Sequence, residues 1–190
     1  MKINFNTALA ILKEKIHAHN AKNPLVIAID GKSASGKTTF ANLLGATVIH
    51  TDDFFRPRNE KGVLEISEYS GNFDIDRFKN EVVTNIKSGK AFKYGVFDCK
   101  IGAVTHTITV ESTNCIVLEG AYSTHPNLGD YADIKLFFDI SEELQKQRII
   151  KRNGESGAKA FFDIWIPAEE RYITRYSIKE NSNIIVSTEA

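Results

Sequence analysis

The 190-residue sequence carries two cysteines, no net charge and no long apolar run, and each shortage excludes a class of protein. Cys99 and Cys115 are too few and too far apart for a disulfide framework or a four-cysteine metal site. Two reduced, buried thiols are expected. Twenty-four Lys and Arg offset 24 Asp and Glu, so bulk attraction to nucleic acid or to an anionic membrane is not expected. Any anion must be captured locally. The apolar stretch Ala8 to Leu12 stops at Lys13, Glu14 and Lys15, short of a signal peptide, and no segment approaches the ~20 apolar residues of a membrane span. Repeats, low-complexity tracts and linkers are lacking too. The expectation is a cytoplasmic chain forming one domain over residues 1–190, without nucleic-acid or membrane partners and with homo-oligomerisation left open.

What is present is a regular alternation. Phe5, Leu9, Leu12 and Ile16 share one helical face, which predicts a helix over the first twenty residues. Leu25 to Asp30, Thr47 to His50, Cys115 to Glu119, Ile134 to Phe138 and Ile184 to Val186 are short apolar runs of the kind that form strands covered on both faces. Helices are expected from about Asp76 to Ser88 and from Ser141 to Arg152, the latter capped by Ser141 and stopped by Asn153-Gly154. Strands alternating with helices predict an α/β fold with a doubly wound, five-stranded parallel sheet. Residues 91–110 depart from this plan, because Thr105 to Val110 alternates strictly after a strand-like Phe92 to Phe97. An inserted antiparallel hairpin is the reading.

Directly after the first buried strand comes Gly31-Lys32-Ser33-Ala34-Ser35-Gly36-Lys37-Thr38, a full match to G-x-x-x-x-G-K-[ST], with Thr39 continuing into a helix. Such a loop turns its backbone N–H groups onto a phosphate and adds the positive end of the helix dipole. Lys37 is suited to the β- and γ-phosphates of a nucleotide such as ATP, and the Thr38 hydroxyl to Mg²⁺. This P-loop leaves an ATPase, a GTPase switch and a small-molecule kinase open.

Carboxylates narrow the choice. Asp52 and Asp53 follow the second strand, at the carboxyl edge where open α/β sheets bind ligands. One of them could take a proton from an attacking hydroxyl; a turn-capping Asp is the plainer alternative. Glu119 ends the third strand as a metal-orienting acid would. Arg148 and Arg152 share a helix face and could bring positive charge to a transferring phosphoryl group, or could simply be solvated. A guanine-reading Asn-Lys-x-Asp sequence is missing, and a switch has no acceptor hydroxyl to deprotonate.

Together these motifs, with Asn72-Phe73-Asp74, Val96-Phe97-Asp98-Cys99, Leu118-Glu119-Gly120-Ala121-Tyr122, Lys151-Arg152-Asn153-Gly154 and Trp165-Ile166-Pro167-Ala168-Glu169-Glu170, resemble the uridine kinase family of P-loop kinases over about residues 20–175. The resemblance implies a P-loop NTPase fold with a β-hairpin over the acceptor and a helical lid at about 151–170. It implies transfer of the γ-phosphate of ATP, with Mg²⁺, to the 5′-hydroxyl of a pyrimidine nucleoside. Asp52 would be the general base, and Lys37, Arg148 and Arg152 the catalytic cations. Residues 31–39 would hold ATP, and Thr38, Glu119 and Asp52 the metal. Asp74, Asp53, Phe97 and Tyr122 would contact the acceptor, although Asp74 also suits a helix cap. The family reads the base with a tyrosine and a histidine; here Phe97 and Gly102 align with them, so His106 would substitute only in a shifted hairpin register, and His125, soon after the third strand, could line the site, while both also suit structural roles. Trp165, Phe161 and Phe162 read as lid or core packing. A kinase for another alcohol, such as pantothenate, nicotinamide riboside or a sugar, is the rival within the fold. A nucleotide-dependent switch is the rival outside it.

Overall fold

The computed structural model describes residues 1–188. Its strands are β1 (Lys2–Asn4), β2 (Leu25–Gly31), β3 (Thr47–His50), β4 (Phe92–Asp98), β5 (Ala103–Val110), β6 (Cys115–Glu119), β7 (Ile134–Asp139) and β8 (Ile184–Ser187). Six of them form one sheet in the order β1-β8-β7-β2-β6-β3, with every neighbouring pair parallel. The sixth strand is β1, which the sequence reading omitted. Three residues carry too little pattern to mark a strand, and β1 exists because its backbone pairs with β8 at the far end of the chain.

The apolar runs are continuous because both sheet faces are covered. Along β2, Val26 and Ala28 enter one core, while Ile27 and Ile29 enter the other. The second core is closed by α1 (Phe5–Ala18) and α2 (Lys37–Leu43), which contribute Ala8, Leu12 and Phe40. Asn4 caps α1 by accepting the Thr7 N–H at 2.9 Å. The first core is closed by a helical run made of α3 (Ile75–Phe78), a wider-wound stretch Lys79–Val83 and α4 (Thr84–Ile86), with the hairpin above it.

The hairpin of β4 and β5 stands apart as its own antiparallel pair. A register shift between Val96 and Phe97 changes which face the strand turns inward, so Tyr94 and Phe97 are both buried despite their odd spacing. Helix α5 (Glu142–Ala160) starts at Ser141 as expected, and Gly154 interrupts it with φ 71° and ψ 169°. The predicted stop is therefore a break within the helical run, which continues through Phe161–Trp165 into α6 (Ile166–Arg175). No helix among the described residues is long and apolar enough to cross a membrane. Cys115 is buried but Cys99, at the hairpin turn, is exposed, contrary to expectation.

Candidate active site

The phosphate loop begins where β2 passes β7. Gly31 pairs with Phe138, and a Cβ on Gly31 would lie 2.3 Å from the Phe138 carbonyl oxygen, at a φ of +136°. Only glycine fits this approach. The left-handed turns at Ala34 (φ 61°) and Gly36 (φ 99°) then curl the chain into α2. Lys37 folds back over the loop, donating to the carbonyls of Gly31 and Lys32 at 2.9 Å each. Ser35 is buried, and its hydroxyl has no hydrogen-bond partner among the described residues. The loop thus offers an anion an unengaged hydroxyl beside a lysine that already spans it. Lys32 points elsewhere: its ammonium pairs with Glu170 at 3.2 Å.

Opposite the loop stand the acids. Glu119 is in register with His50 across the β3–β6 pair, and it accepts from the Thr38 hydroxyl at 3.0 Å and contacts His50 Nδ1 at 2.8 Å. The hydrogen bond to Glu119 is the main reason the His50 pKa is raised. Asp52 lies on the short turn Thr51–Phe54 after β3 and faces the cleft. Its carboxylate is open to water on that side yet hemmed in by protein. This desolvation, with the Glu119 charge, raises its pKa against the pull of Lys37 and His50.

These groups share a cleft of about 940 Å³, of the size that small ligands occupy. Lys37, Thr38, Thr39, Asp52, Glu119, Arg148 and Arg152 line it, and so do Phe97, Tyr122, Phe161 and Trp165. Arg148 is held by its hydrogen bond to the Ala34 carbonyl at 3.2 Å, and the Arg152 guanidinium lies 5.2 Å from the centre of the Phe161 ring. Arg56 and Arg58, which the sequence reading did not single out, also line the cleft. No local pattern marks them; they arrive on the loop after β3.

Two residues expected at the acceptor are not among those that line this cleft. Asp74 is the N-cap of α3 and accepts the Arg77 N–H on Oδ1 at 3.1 Å. Asp53 accepts from the Tyr94 hydroxyl at 3.2 Å, while its backbone carbonyl takes the Arg77 guanidinium. That guanidinium also reaches the Gly95 carbonyl at 2.8 Å, so Asp53 and Arg77 seat the hairpin over the end of β3. His106 is exposed on β5. His125 is buried, stacks on Tyr172 and accepts the Asn127 N–H at 3.1 Å.

A buried parallel strand, a glycine loop at its carboxyl end and a helix led by Lys37 and Thr38 define a P-loop fold, and the solved structures it resembles are P-loop kinases. Over most of its length the chain is similar to proteins named uridine kinase. It is 27% identical to the uridine kinase of Ureaplasma urealyticum over 189 residues, covering 88% of this chain and 89% of that one. It is 29% identical to that of Latilactobacillus sakei over 159 residues, covering 75% and 73%. A possible uridine kinase from Bacillus stearothermophilus shares the fold with a TM-score of 0.70 at 20% identity, over 95% of this chain and 98% of that one. D-glycerate 3-kinase from Cryptococcus neoformans does so with a TM-score of 0.65 at 14% identity, over 96% and 95%. No family model matches the chain.

Proposed function

We propose that the protein is an ATP-dependent phosphotransferase that phosphorylates the 5′-hydroxyl of a pyrimidine nucleoside. The observation that carries this reading is one cleft holding Lys37 and Thr38 at one side, Asp52 on the facing strand end, and the aromatic walls of Phe97 and Tyr122 beyond. The relatives named uridine kinase support the nucleoside. In this arrangement the loop grips the triphosphate and Asp52 accepts the proton of the attacking hydroxyl. Its raised pKa makes it a better base than an ordinary aspartate. Arg148 and Arg152 neutralise charge on the transferring group, and the helical segment bearing Phe161 and Trp165 closes over it as a lid that keeps out water. Phosphoryl transfer asks mainly for such positioning and charge stabilisation.

The donor set also suits Mg²⁺. Thr38 and Glu119 supply hard oxygens that meet at 3.0 Å, with Asp52 lining the same cleft. That matches an ion bound through one or two carboxylates and the substrate phosphates. When bound, Mg²⁺ would supply neutralisation of phosphate charge.

A second reading, a kinase for another small alcohol, is favoured by the hairpin. Phe97 and Gly102 cannot hydrogen-bond a base with their side chains, and Arg56 and Arg58 line the cleft where an acidic alcohol could be held. Phosphorylation of a panel of acceptors with ATP separates the two. Uridine and cytidine should be preferred over pantothenate, nicotinamide riboside, glycerate and sugars; preference for a non-nucleoside would overturn the nucleoside reading. With the best acceptor, Asp52→Asn should lower turnover by about 10²–10⁴.

A further inference from the structure

Two side chains one turn apart on α6 reach the phosphate loop at two points. Glu169 accepts the Ser33 N–H on Oε2 at 2.9 Å and the Ser33 hydroxyl on Oε1. Tyr172 donates its hydroxyl to Asp30 Oδ2 at 2.8 Å, and the other oxygen of Asp30 holds the Gly31 N–H at 2.7 Å. Thr124 steadies Asp30 further through its N–H at 2.9 Å and its hydroxyl at 2.7 Å. The first and third residues of the loop are thus tied to a helix that lies more than a hundred residues away in sequence.

Charge alone gives no reason for this arrangement. Glu169 is 7% exposed and Asp30 1%. Each places a desolvated negative charge beside a loop that must attract phosphate, which weakens that attraction. The benefit has to be geometric. Glu169 is satisfied by the N–H and hydroxyl of Ser33, and Asp30 accepts the Gly31 N–H while Thr124 and Tyr172 hold its other oxygen, so each carboxylate helps fix the course of the loop backbone. Gln145, donating to the Ser33 carbonyl at 3.0 Å, holds the same residue from α5.

We propose that α6 is a clamp on the phosphate loop, with Glu169 as a positioning residue that holds Ser33 so that the loop is shaped for the nucleotide phosphates before they arrive. The clamp rests on the reading that the loop binds ATP. It lowers the ordering cost of nucleotide binding in the way that preorganisation does. Because α6 follows Phe161–Trp165 without interruption, the same helix joins the loop to the wall of the cleft carrying Phe161 and Trp165.

Calorimetric titration of the full chain with ATP and Mg²⁺ tests the clamp, with the melting temperature of each ligand-free variant recorded alongside. Glu169→Ala removes both contacts to Ser33 and should weaken ATP binding about tenfold or more. Glu169→Gln keeps an acceptor for the Ser33 N–H and a donor for its hydroxyl, and should bind within about threefold of the parent. Tyr172→Phe removes the hydroxyl that binds Asp30 and touches Thr124 at 3.4 Å, and should weaken ATP about fivefold, which keeps the clamp testable if Glu169→Ala does not fold. Equal affinity in parent and variants, whatever their melting temperatures, overturns the clamp. So does a Gln variant as weak as the Ala variant. A parent chain that fails to bind ATP overturns instead the nucleotide reading on which the clamp rests.

Discussion

Lys37 spans its own loop through the carbonyls of Gly31 and Lys32, so its ammonium is already placed when a phosphate enters. Lys37→Ala should reduce ATP turnover by at least about a hundredfold while the fold persists, as a coupled ADP assay and a circular dichroism spectrum would show. Gly31 is constrained differently, by the carbonyl of Phe138. Gly31→Ala forces that backbone apart and should cost about 3 kcal/mol in urea unfolding. Lys37 and Gly31 were both legible in the sequence, because the loop motif encodes its geometry in adjacent residues. Glu169 was not. It lies in the first turn of α6 with no local pattern that points to the loop, and only its meeting with Ser33, 136 positions away, joins it to that loop.

At the scale of elements, the same contrast separates helix ends from strand edges. Ser141 announces the start of α5, and Gly154 its interruption, since caps and left-handed turns depend on local residue chemistry. Asp74 could be read as a cap or as an acceptor ligand, and its hydrogen bond to the Arg77 N–H supports the cap. Asp74→Ala should therefore destabilise the protein by about 1 kcal/mol. Asp74→Ser, which can still cap, should leave both stability and the KM for the acceptor near the parent values. A raised KM in the Ser variant would show that the carboxylate also touches the acceptor. The hairpin was visible from alternation, but the shift between Val96 and Phe97 was not, because a bulge is settled by pairing across two strands.

Across the whole molecule, burial of one histidine sets a pH dependence. His125 packs against Tyr172 and Tyr176, and burial pushes its pKa down from 6.5 to about 4. The unfolded chain then binds more protons than the folded one between these values. The His125 contribution to stability is complete above pH 6.5 and is lost as the pH falls toward 4, by at most about 1.4 kcal/mol per pH unit. Buried carboxylates with raised pKa, such as Glu169, act in the opposite sense, so the comparison is with His125→Asn. Urea unfolding of parent and variant between pH 7 and 4 should show the shallower acid slope in the variant. By itself the sequence determined the α/β alternation, the glycine loop and the strands covered on both faces, because each follows from residues adjacent in the chain or spaced by a helix or strand period. Tertiary structure alone decided that β1 completes the sheet, that Asp53 meets the hairpin through Tyr94 and Asp74 caps α3 while Arg56 and Arg58 enter the cleft, and that α6 meets the loop through Glu169. Those choices turn on which distant atoms meet and which of them burial deprives of water, and no local pattern carries that information.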